Sequence, residues 1–355
     1  MYFNINLAWK TVGTLLGCTI FMPNSIHGVV LIDGISRNIL IQHNVKRQVV
    51  SGINKICYIK ILFYMLQNNH IQINTVIHNT NLVEQYITIE QLIEALIFLD
   101  DYQYVQIACL VIKNNIGGAI DATSYQNIVN EIFLAAGALN THMIGDSIDT
   151  NVGDIGLLLS NIIHEYPQYL YLFKKYKTTI NNTSVINPNL LINDQIFGLV
   201  TSDGGGVFFK FFTTHHTQKL FITAMHKHAK DALYHDVKKI LTIGDAKYKT
   251  LTITKAHQPM ASVQIWLGEE DSIGVCTLQD ILVCVDKIQQ DDLRVEIEYI
   301  GPITAPIDHH TKIATLIIKI ADQEVGRYNL YTVKDVKKVT GFTKLYKLFW
   351  QIILT

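Results

Sequence analysis

Apolar residues in the first two thirds of the chain follow strand spacing in some segments and helix spacing in others. Two short runs, Gly28–Asp33 and Ile39–Gln42, flank a polar turn and predict a β-hairpin. Apolar positions at helical spacing predict a helix over Gly52–Leu66 and mainly helical structure from Ile87 to Ile163. The segment Ala135–His142 interrupts this helical region.

Strand patterns return after the helical region. The runs Phe208–Phe212 and Leu220–Met225 predict two paired central strands, and His228–Ile243 predicts a helix that closes the domain. The order of hairpin, helices, strands and helix indicates an α/β (α+β) domain in which helices cover one sheet.

Beyond Gly244 the pattern changes to short β-rich runs at regular spacing. Turn signals at Gly268, Gly301-Pro302 and Gly326 separate them. This pattern of short strands and turns predicts a small all-β sandwich. The runs are Thr250–Thr254, Val263–Leu267, Ile281–Val285, Leu293–Ile300, Ile313–Ile320 and Glu324–Tyr331.

The last segment, Lys334–Thr355, has an amphipathic pattern. Phe342, Phe349 and two aliphatic residues fall on one helical face, while Lys344 and Lys347 fall on another. A helix that lies in a membrane surface has this pattern, and so does a helix docked on its own protein. The sequence leaves both interpretations open.

The N-terminus carries a short apolar run, Thr11–Met22, behind a single Lys10. Its length is typical of a signal peptide and too short for a membrane span. Within it, the residues before Cys18 resemble a lipoprotein cleavage box. We therefore expect an exported protein, with a lipid anchor at Cys18 as one form of processing and an unexported protein with a buried N-terminal element as the alternative.

Composition excludes some function classes. The 355 residues contain 49% hydrophobic residues, which argues against disorder. Lys and Arg total 29 against 30 for Asp and Glu, so a net charge of -1 does not favour nucleic-acid binding. The five cysteines show no zinc spacing, and Cys276 and Cys284 are a possible pair only if the protein is exported.

Five stretches match segments of one known protein family in order and spacing. They are Val29–Asn44, Ile89–Leu96, Ala138–His142, Asp154–Pro167 and Lys238–Gly244. They resemble, in turn, the opening hairpin, the helix before the second motif, the Leu-Lys-Asn-Thr-His turn, the Asp-Met-Ala helix and the Lys-Lys-Leu-Leu-Thr-Trp-Gly close of the serine-type D-alanyl-D-alanine carboxypeptidases, the low-molecular-weight penicillin-binding proteins. The resemblance covers roughly Gly28 to Leu354 and depends on order and spacing more than on any one motif.

The resemblance implies a four-part organisation of the chain. Residues 1–25 would be a signal or lipoprotein leader, and residues 26–245 a penicillin-binding, β-lactamase-like domain. Residues 246–332 would form the β-sandwich, and residues 333–355 an amphipathic helix on a membrane surface.

The family's first motif is Ser-x-x-Lys, in which Lys activates the Ser nucleophile. If Lys55 is placed on the family's Lys, the nucleophile position holds Gly52, which would abolish acyl-enzyme chemistry. Ser51 lies four residues before Lys55 and shares its helical face, so a slip of one residue would let Ser51 attack. The more common role for Ser51 is an N-cap.

The second motif supplies Ser and Asn in the family, and its counterpart here is Asp100-Asp101-Tyr102. Acidic residues beside Lys55 would hold that Lys protonated and oppose its use as a base. The two carboxylates could form a catalytic pair, but a helix N-cap is the more frequent role of such residues.

The third motif, Lys-Thr-Gly, binds the substrate's terminal carboxylate in the family. The aligned residues are Phe197-Gly198-Leu199, in which neither the cation nor the hydroxyl remains. Downstream, where the family often has an Arg, this chain has His228, a poor substitute for a bidentate guanidinium.

Two further groups of residues are weaker candidates for sites. Asp203-Gly204-Gly205-Gly206 lacks the Gly-Lys-Ser/Thr of a phosphate loop, so a flexible turn is the better interpretation. Four histidines around the predicted strand pair are more readily explained as scattered surface residues than as metal ligands. They are His215, His216, His226 and His228.

The sequence therefore predicts a carboxypeptidase homologue of the cell envelope, exported to the periplasmic face of the inner membrane. The ancestral activity would remove the terminal D-Ala from peptidoglycan stem peptides. Here we expect that activity to be weak or absent, with a noncatalytic binding or scaffold protein as the alternative. No cofactor and no metal are expected. A stem peptide would be bound if the chain is active, and a β-lactam only if Ser51 is functional.

Overall fold

A computed structural model describes residues 26–35, 37–46, 52–77, 86–116, 124–193, 195–211, 219–226, 230–301 and 303–340. The predicted leader with Cys18, the candidate nucleophile Ser51, and His228 lie outside these ranges. The described residues form two compact units that divide between Ala246 and Lys247.

The first unit combines one antiparallel sheet with helices and three small hairpins. Its elements in chain order are β1 (Ile26–Asp33), β2 (Ile39–His43), α1 (Lys55–Gln67), β3 (Val76–Ile77), β4 (Ile87–Thr88), α2 (Ile89–Phe98), α3 (Tyr102–Asn115), α4 (Ser124–Ala135), β5 (His142–Ile144), β6 (Ser147–Asp149), α5 (Val152–Glu165), α6 (Tyr171–Lys174), β7 (Lys177–Ile180), β8 (Thr183–Ile186), β9 (Ile196–Val200), β10 (Gly205–Phe211), β11 (Lys219–His226) and α7 (Lys230–Lys247).

The main sheet has the strand order β2-β1-β11-β10-β9. Every neighbouring pair is antiparallel. In this order the predicted opening hairpin lies beside the predicted central pair, with Val29 opposite Ala224. Helix α5 packs on β1 and β11, and α1 packs on α5. Gly156 allows this close approach, because a Cβ there would lie 2.4 Å from Val30 Cγ1. The predicted α/β layering is confirmed.

Side-chain caps explain where three of the helices begin. Thr88 and Gln91 form a reciprocal capping box at α2, and Asn151 accepts the backbone N–H of Asp154 at α5. Asp101 accepts the N–H of Gln103 at α3, which confirms the predicted capping role for one residue of the acidic pair. Helix α1 is different: its N-cap position is Asn54, which makes no side-chain cap, and Ser51, the N-cap that the sequence favoured, lies outside the described ranges.

The second unit is made almost entirely of strands. They are β12 (Tyr248–Thr254), β13 (Ala261–Trp266), β14 (Ser272–Cys276), β15 (Ile281–Asp286), β16 (Leu293–Glu298), β17 (Ile303–Thr304), β18 (Lys312–Ile320) and β19 (Gln323–Thr332). Six strands form a sheet in the order β16-β18-β19-β14-β13-β17, and β12 pairs with β15. A buried aliphatic cluster draws on both sheets, including Val263, Val283 and Leu316. The predicted β domain is confirmed.

The two cysteines of the second unit do not form a disulfide. Cys276 and Cys284 are both buried free thiols, so the possible pairing between them is not formed.

The predicted amphipathic helix over residues 333–355 is wrong for its first eight residues. These residues form bends and isolated β-bridges, with Val336 paired to Ile307 and its side chain buried. Residues 341–355 lie outside the described ranges.

Candidate functional site

Lys55 is the first residue of α1 and is almost fully buried, at 3% exposure. Its Nζ donates to the backbone carbonyl of Leu99 at 2.7 Å and to Asp100 Oδ1 at 2.8 Å. Leu99 and Asp100 form the junction between α2 and α3, so the fold brings the first and second motif positions together as the resemblance implied. The carbonyl and the carboxylate both stabilise the charged ammonium.

The second carboxylate oxygen of Asp100 accepts the backbone N–H of Ser202. Partial burial opposes ionisation of Asp100, but the hydrogen bonds and charge of Lys55 and the hydrogen bonds of Ser202 outweigh it, so the pKa of this carboxyl is lowered. Asp100 is therefore an ionised partner of Lys55 at neutral pH, and it links α1 to the turn that follows β9.

That turn, Thr201–Gly204, is held in one conformation by its own side chains. Thr201 Oγ1 hydrogen-bonds Asp203 Oδ1, and the Thr201 backbone N–H donates to Gly205 O at 2.9 Å. Gly204 has a φ of 86°, which favours glycine. The Gly52 N–H donates to Asp203 Oδ2 at 3.2 Å. The predicted flexible turn is thus an ordered one, and it lies against both Gly52 and Asp100.

Gly52, three residues before Lys55, has no room for a side chain. A Cβ at this position would lie 2.8 Å from Thr201 Cβ and 3.0 Å from Asp203 Oδ2. Real Cβ atoms essentially never come within 3.0 Å of another heavy atom, so the first of these contacts forces a shift. The Thr201–Gly204 turn therefore occupies the space that a nucleophile at position 52 would need.

Phe197, Gly198 and Leu199 lie in β9 and are all buried, with Phe197 and Leu199 in the main hydrophobic core. The Phe197 ring stacks on Phe209 with centroids 5.1 Å apart. Gly198 has a φ of 146°, and a Cβ there would lie 2.0 Å from Val207 O. These three positions pack the core and offer no side-chain donor for a substrate carboxylate.

The remaining predicted site residues lie apart from this cluster or outside the described ranges. Tyr102, the third residue of the second motif position, is 58% exposed at the start of α3. Of the four histidines considered as metal ligands, only His226 is described. Its Nε2 lies 3.4 Å from Asp236 Oδ2, and both side chains are buried.

Sequence reasoning missed the roles of Thr201, Ser202 and Asp203. A usable signal was present, because these residues follow directly on β9, the strand aligned with the third motif. Chemically, the cluster joins an ammonium, an ionised carboxylate and an ordered turn. The position three residues before Lys55, where the resemblance expects the nucleophile, holds glycine and therefore no hydroxyl.

Comparisons with known proteins agree with this architecture. A family model described as "Penicillin-binding protein 5, C-terminal domain" matches residues 248–338. The D-alanyl-D-alanine carboxypeptidase DacD of Escherichia coli is 22% identical over 202 residues, which cover 55% of this chain and 52% of that protein. A crystal structure of penicillin binding protein 5 from Haemophilus influenzae matches with a TM-score of 0.74 at 16% identity, covering 91% of this chain and 100% of that one.

The chain is thus similar to the D-alanyl-D-alanine carboxypeptidases, the low-molecular-weight penicillin-binding proteins. The fold is shared with solved structures of such proteins. A second structure, a peptidoglycan synthesis regulatory factor (PBP3) from Streptococcus pneumoniae, matches with a TM-score of 0.70 at 14% identity over 88% of this chain and 99% of that one. In sequence, the chain spans about half the length of the curated relative DacD. In the described part of the chain, no helix is long and apolar enough to cross a membrane.

Proposed function

We propose that this chain is a noncatalytic member of the carboxypeptidase family that does not form an acyl-enzyme. One observation carries the proposal. The position three residues before Lys55 is a glycine, and Thr201 and Asp203 fill the space where a nucleophilic side chain would stand. Serine acyl transfer needs a hydroxyl within hydrogen-bond reach of its base, and a misplacement of about 1 Å can reduce the rate by about two orders of magnitude.

The charge state of the cluster supports the same proposal. A lysine that acts as general base must be neutral to accept a proton, whereas Lys55 is surrounded by the Leu99 carbonyl and the Asp100 carboxylate. Both partners favour the protonated ammonium. In this state Lys55 is an ion-pair partner that connects α1 to the α2–α3 junction, and it does not activate a hydroxyl.

The buried third motif position supports a loss of substrate binding as well. A terminal carboxylate requires donors such as a Lys ammonium and a Thr hydroxyl, and Phe197 and Gly198 provide no such side-chain groups. We infer that the chain keeps the scaffold of the family as an envelope protein, without removing D-Ala from stem peptides.

The second candidate function is residual carboxypeptidase activity through a serine outside the usual spacing. Ser51 is one such serine. Ser202 is another, since it is exposed and its backbone N–H donates to Asp100. Either hydroxyl would have to attack a peptide carbonyl and pass its proton to a nearby base.

Labelling with a fluorescent penicillin tests the proposal. The full chain, a Ser51→Ala variant and a Ser202→Ala variant are incubated with the label and examined by intact-mass analysis, with DacD of Escherichia coli as the reactive control. We expect an adduct on the control and none on this chain. A one-to-one adduct on this chain that disappears in either serine variant would overturn the proposal and identify the nucleophile.

We also propose that the protein acts in the cell envelope, at the periplasmic face of the inner membrane, with residues 341–355 at the membrane surface and a lipid on Cys18. Flotation with vesicles of phosphatidylethanolamine and phosphatidylglycerol compares the full chain with a variant that ends at residue 340. The full chain is expected to float and the shortened one to remain at the bottom. Equal behaviour of the two would refute the membrane role of this segment.

A further inference from the structure

Three histidines lie close together on two turns of the second unit. His257 lies between β12 and β13, and His309 and His310 lie between β17 and β18. All three side chains are exposed. The ring centroids of His257 and His310 are 5.9 Å apart, and those of His309 and His310 are 3.7 Å apart. Residues from separate turns thus meet at one surface point.

The backbone holds two of these rings in position. His257 and His310 both have left-handed backbone, with φ values of 58° and 57°. Such conformations are uncommon outside glycine, and His is one of the residues enriched there. The His257 N–H donates to Thr277 O at 2.7 Å, and the His310 N–H donates to Thr332 O at 3.1 Å. Both turns are therefore attached to strands or strand ends of the sandwich.

Further hydrogen bonds fix the turn that carries His309 and His310. Thr332, which is fully buried, donates through its hydroxyl to Asp308 O at 2.7 Å. The hydroxyl of Thr311 donates to the same carbonyl at 2.7 Å. The His309 N–H donates to Asp335 Oδ1 at 2.6 Å. A turn held this firmly loses little conformational freedom when its side chains bind a ligand.

The ring separation suits a shared metal ion. Imidazole nitrogens bind Zn²⁺ at about 2.0–2.1 Å, so two rings on one ion have centroids roughly 5 to 6 Å apart. The 5.9 Å between His257 and His310 falls within that range. Among the described residues no three ligating side chains are already arranged around one point. The remaining positions on the ion would be filled by water or by His309 after rotation of its side chain.

We propose that His257 and His310 form a surface site for a divalent transition-metal ion of the Zn²⁺ class. Imidazole is a preferred ligand of such ions, and the Asp335 carboxylate, which accepts the His309 N–H, adds favourable negative charge. The site is independent of the noncatalytic role proposed for the first unit, because it uses residues of the second unit alone.

Calorimetric titration of the full chain with Zn²⁺ tests the site. The variants are His257→Asn and His310→Asn, since Asn tolerates left-handed backbone where Ala would add strain. His235→Asn is the matched control, because His235 is an exposed histidine of α7. We expect at least a tenfold weaker affinity in each of the first two variants and wild-type affinity in the control. Wild-type affinity and stoichiometry in all three variants would refute the site.

A second measurement uses the wild-type protein and does not depend on how the variants fold. Diethyl pyrocarbonate modifies exposed imidazoles, and mass spectrometry locates the modified residues. Zn²⁺ should protect His257 and His310 while leaving His235 reactive. Equal modification of His257 and His310 with and without Zn²⁺ would contradict the proposal.

Discussion

The Nζ of Lys55 lies 2.8 Å from Oδ1 of Asp100, and this ion pair joins the start of α1 to the junction of α2 and α3. The lysine side chain is 4% exposed and the aspartate side chain 27% exposed. A pair in this setting is weakly screened by salt and expensive to break, because removing one partner leaves the other charge without its counter-ion in a buried place.

The first prediction concerns the stability that this pair provides. Replacing Asp100 with Ala should lower the free energy of unfolding by about 2–3 kcal/mol, since a charged hydrogen bond is lost and Lys55 stays buried. Urea unfolding measures the change. Asp101→Ala is the control and should cost only about 1 kcal/mol, the value of a helix N-cap. Equal effects of the two substitutions would show that the ion pair adds nothing beyond a cap.

The second prediction concerns pH. The folded state lowers the pKa of Asp100 below its ordinary value of 3.8. The stability that this shift provides is therefore fully present above about pH 5, and it is lost as the pH falls through 3.8 towards the lower folded-state pKa. The difference in stability between wild type and Asp100→Asn, measured by urea unfolding, should be largest at pH 7 and should shrink as the pH falls below 3.8. A difference that stays constant over this range would exclude the lowered pKa.

The third prediction concerns the space around Gly52. Gly52→Ala should lower the free energy of unfolding by about 1–3 kcal/mol, because its Cβ would overlap Thr201. In a Thr201→Gly background the same substitution should cost less, and the difference between the two costs measures the overlap. Additive effects would mean that Thr201 does not restrict position 52. For the same reason, Gly52→Ser alone should leave the protein unreactive towards fluorescent penicillin.

The fourth prediction concerns β9. Gly198→Ala should destabilise the protein by more than about 3 kcal/mol, because a Cβ would lie 2.0 Å from Val207 O in the paired strand. Thermal unfolding measures the loss. Leu199→Ile, a substitution of equal volume at the next buried position, should cost less than about 1.5 kcal/mol. A small effect of Gly198→Ala would mean that β9 can shift away from β10.

The local pattern of apolar and turn residues was enough to predict most of the helices and strands. The hairpin of β1 and β2, the helical region from α2 to α5 and the strands of the sandwich follow from spacing of apolar residues and from turn residues, which act over a few positions. Residues 333–340 belong to the predicted helix because they directly precede its amphipathic residues, such as Phe342 and Lys344. In the fold, Val336 pairs with Ile307 instead, and no local signal reports a partner 29 positions away.

The cluster around Lys55 was only partly predictable. Sequence alignment with the family placed Lys55 and Asp100 at positions that meet, and charge alone indicated that they would attract. The turn after β9 was predicted, but its role was missed because Asp203 and its glycines look like any flexible loop. Its hydrogen bonds to Gly52 and Asp100 join it to residues more than one hundred positions earlier in the chain.

By itself the sequence determined the elements, the order of the two units and the resemblance to a known family, because periodicity, caps and turn chemistry are local properties. The tertiary structure alone decided that position 52 has no space for a side chain, that Asp100 shares its two oxygens between Lys55 and Ser202, and that two distant turns bring His257 and His310 together. These facts depend on packing between segments far apart in the chain, and such contacts are set by the whole fold.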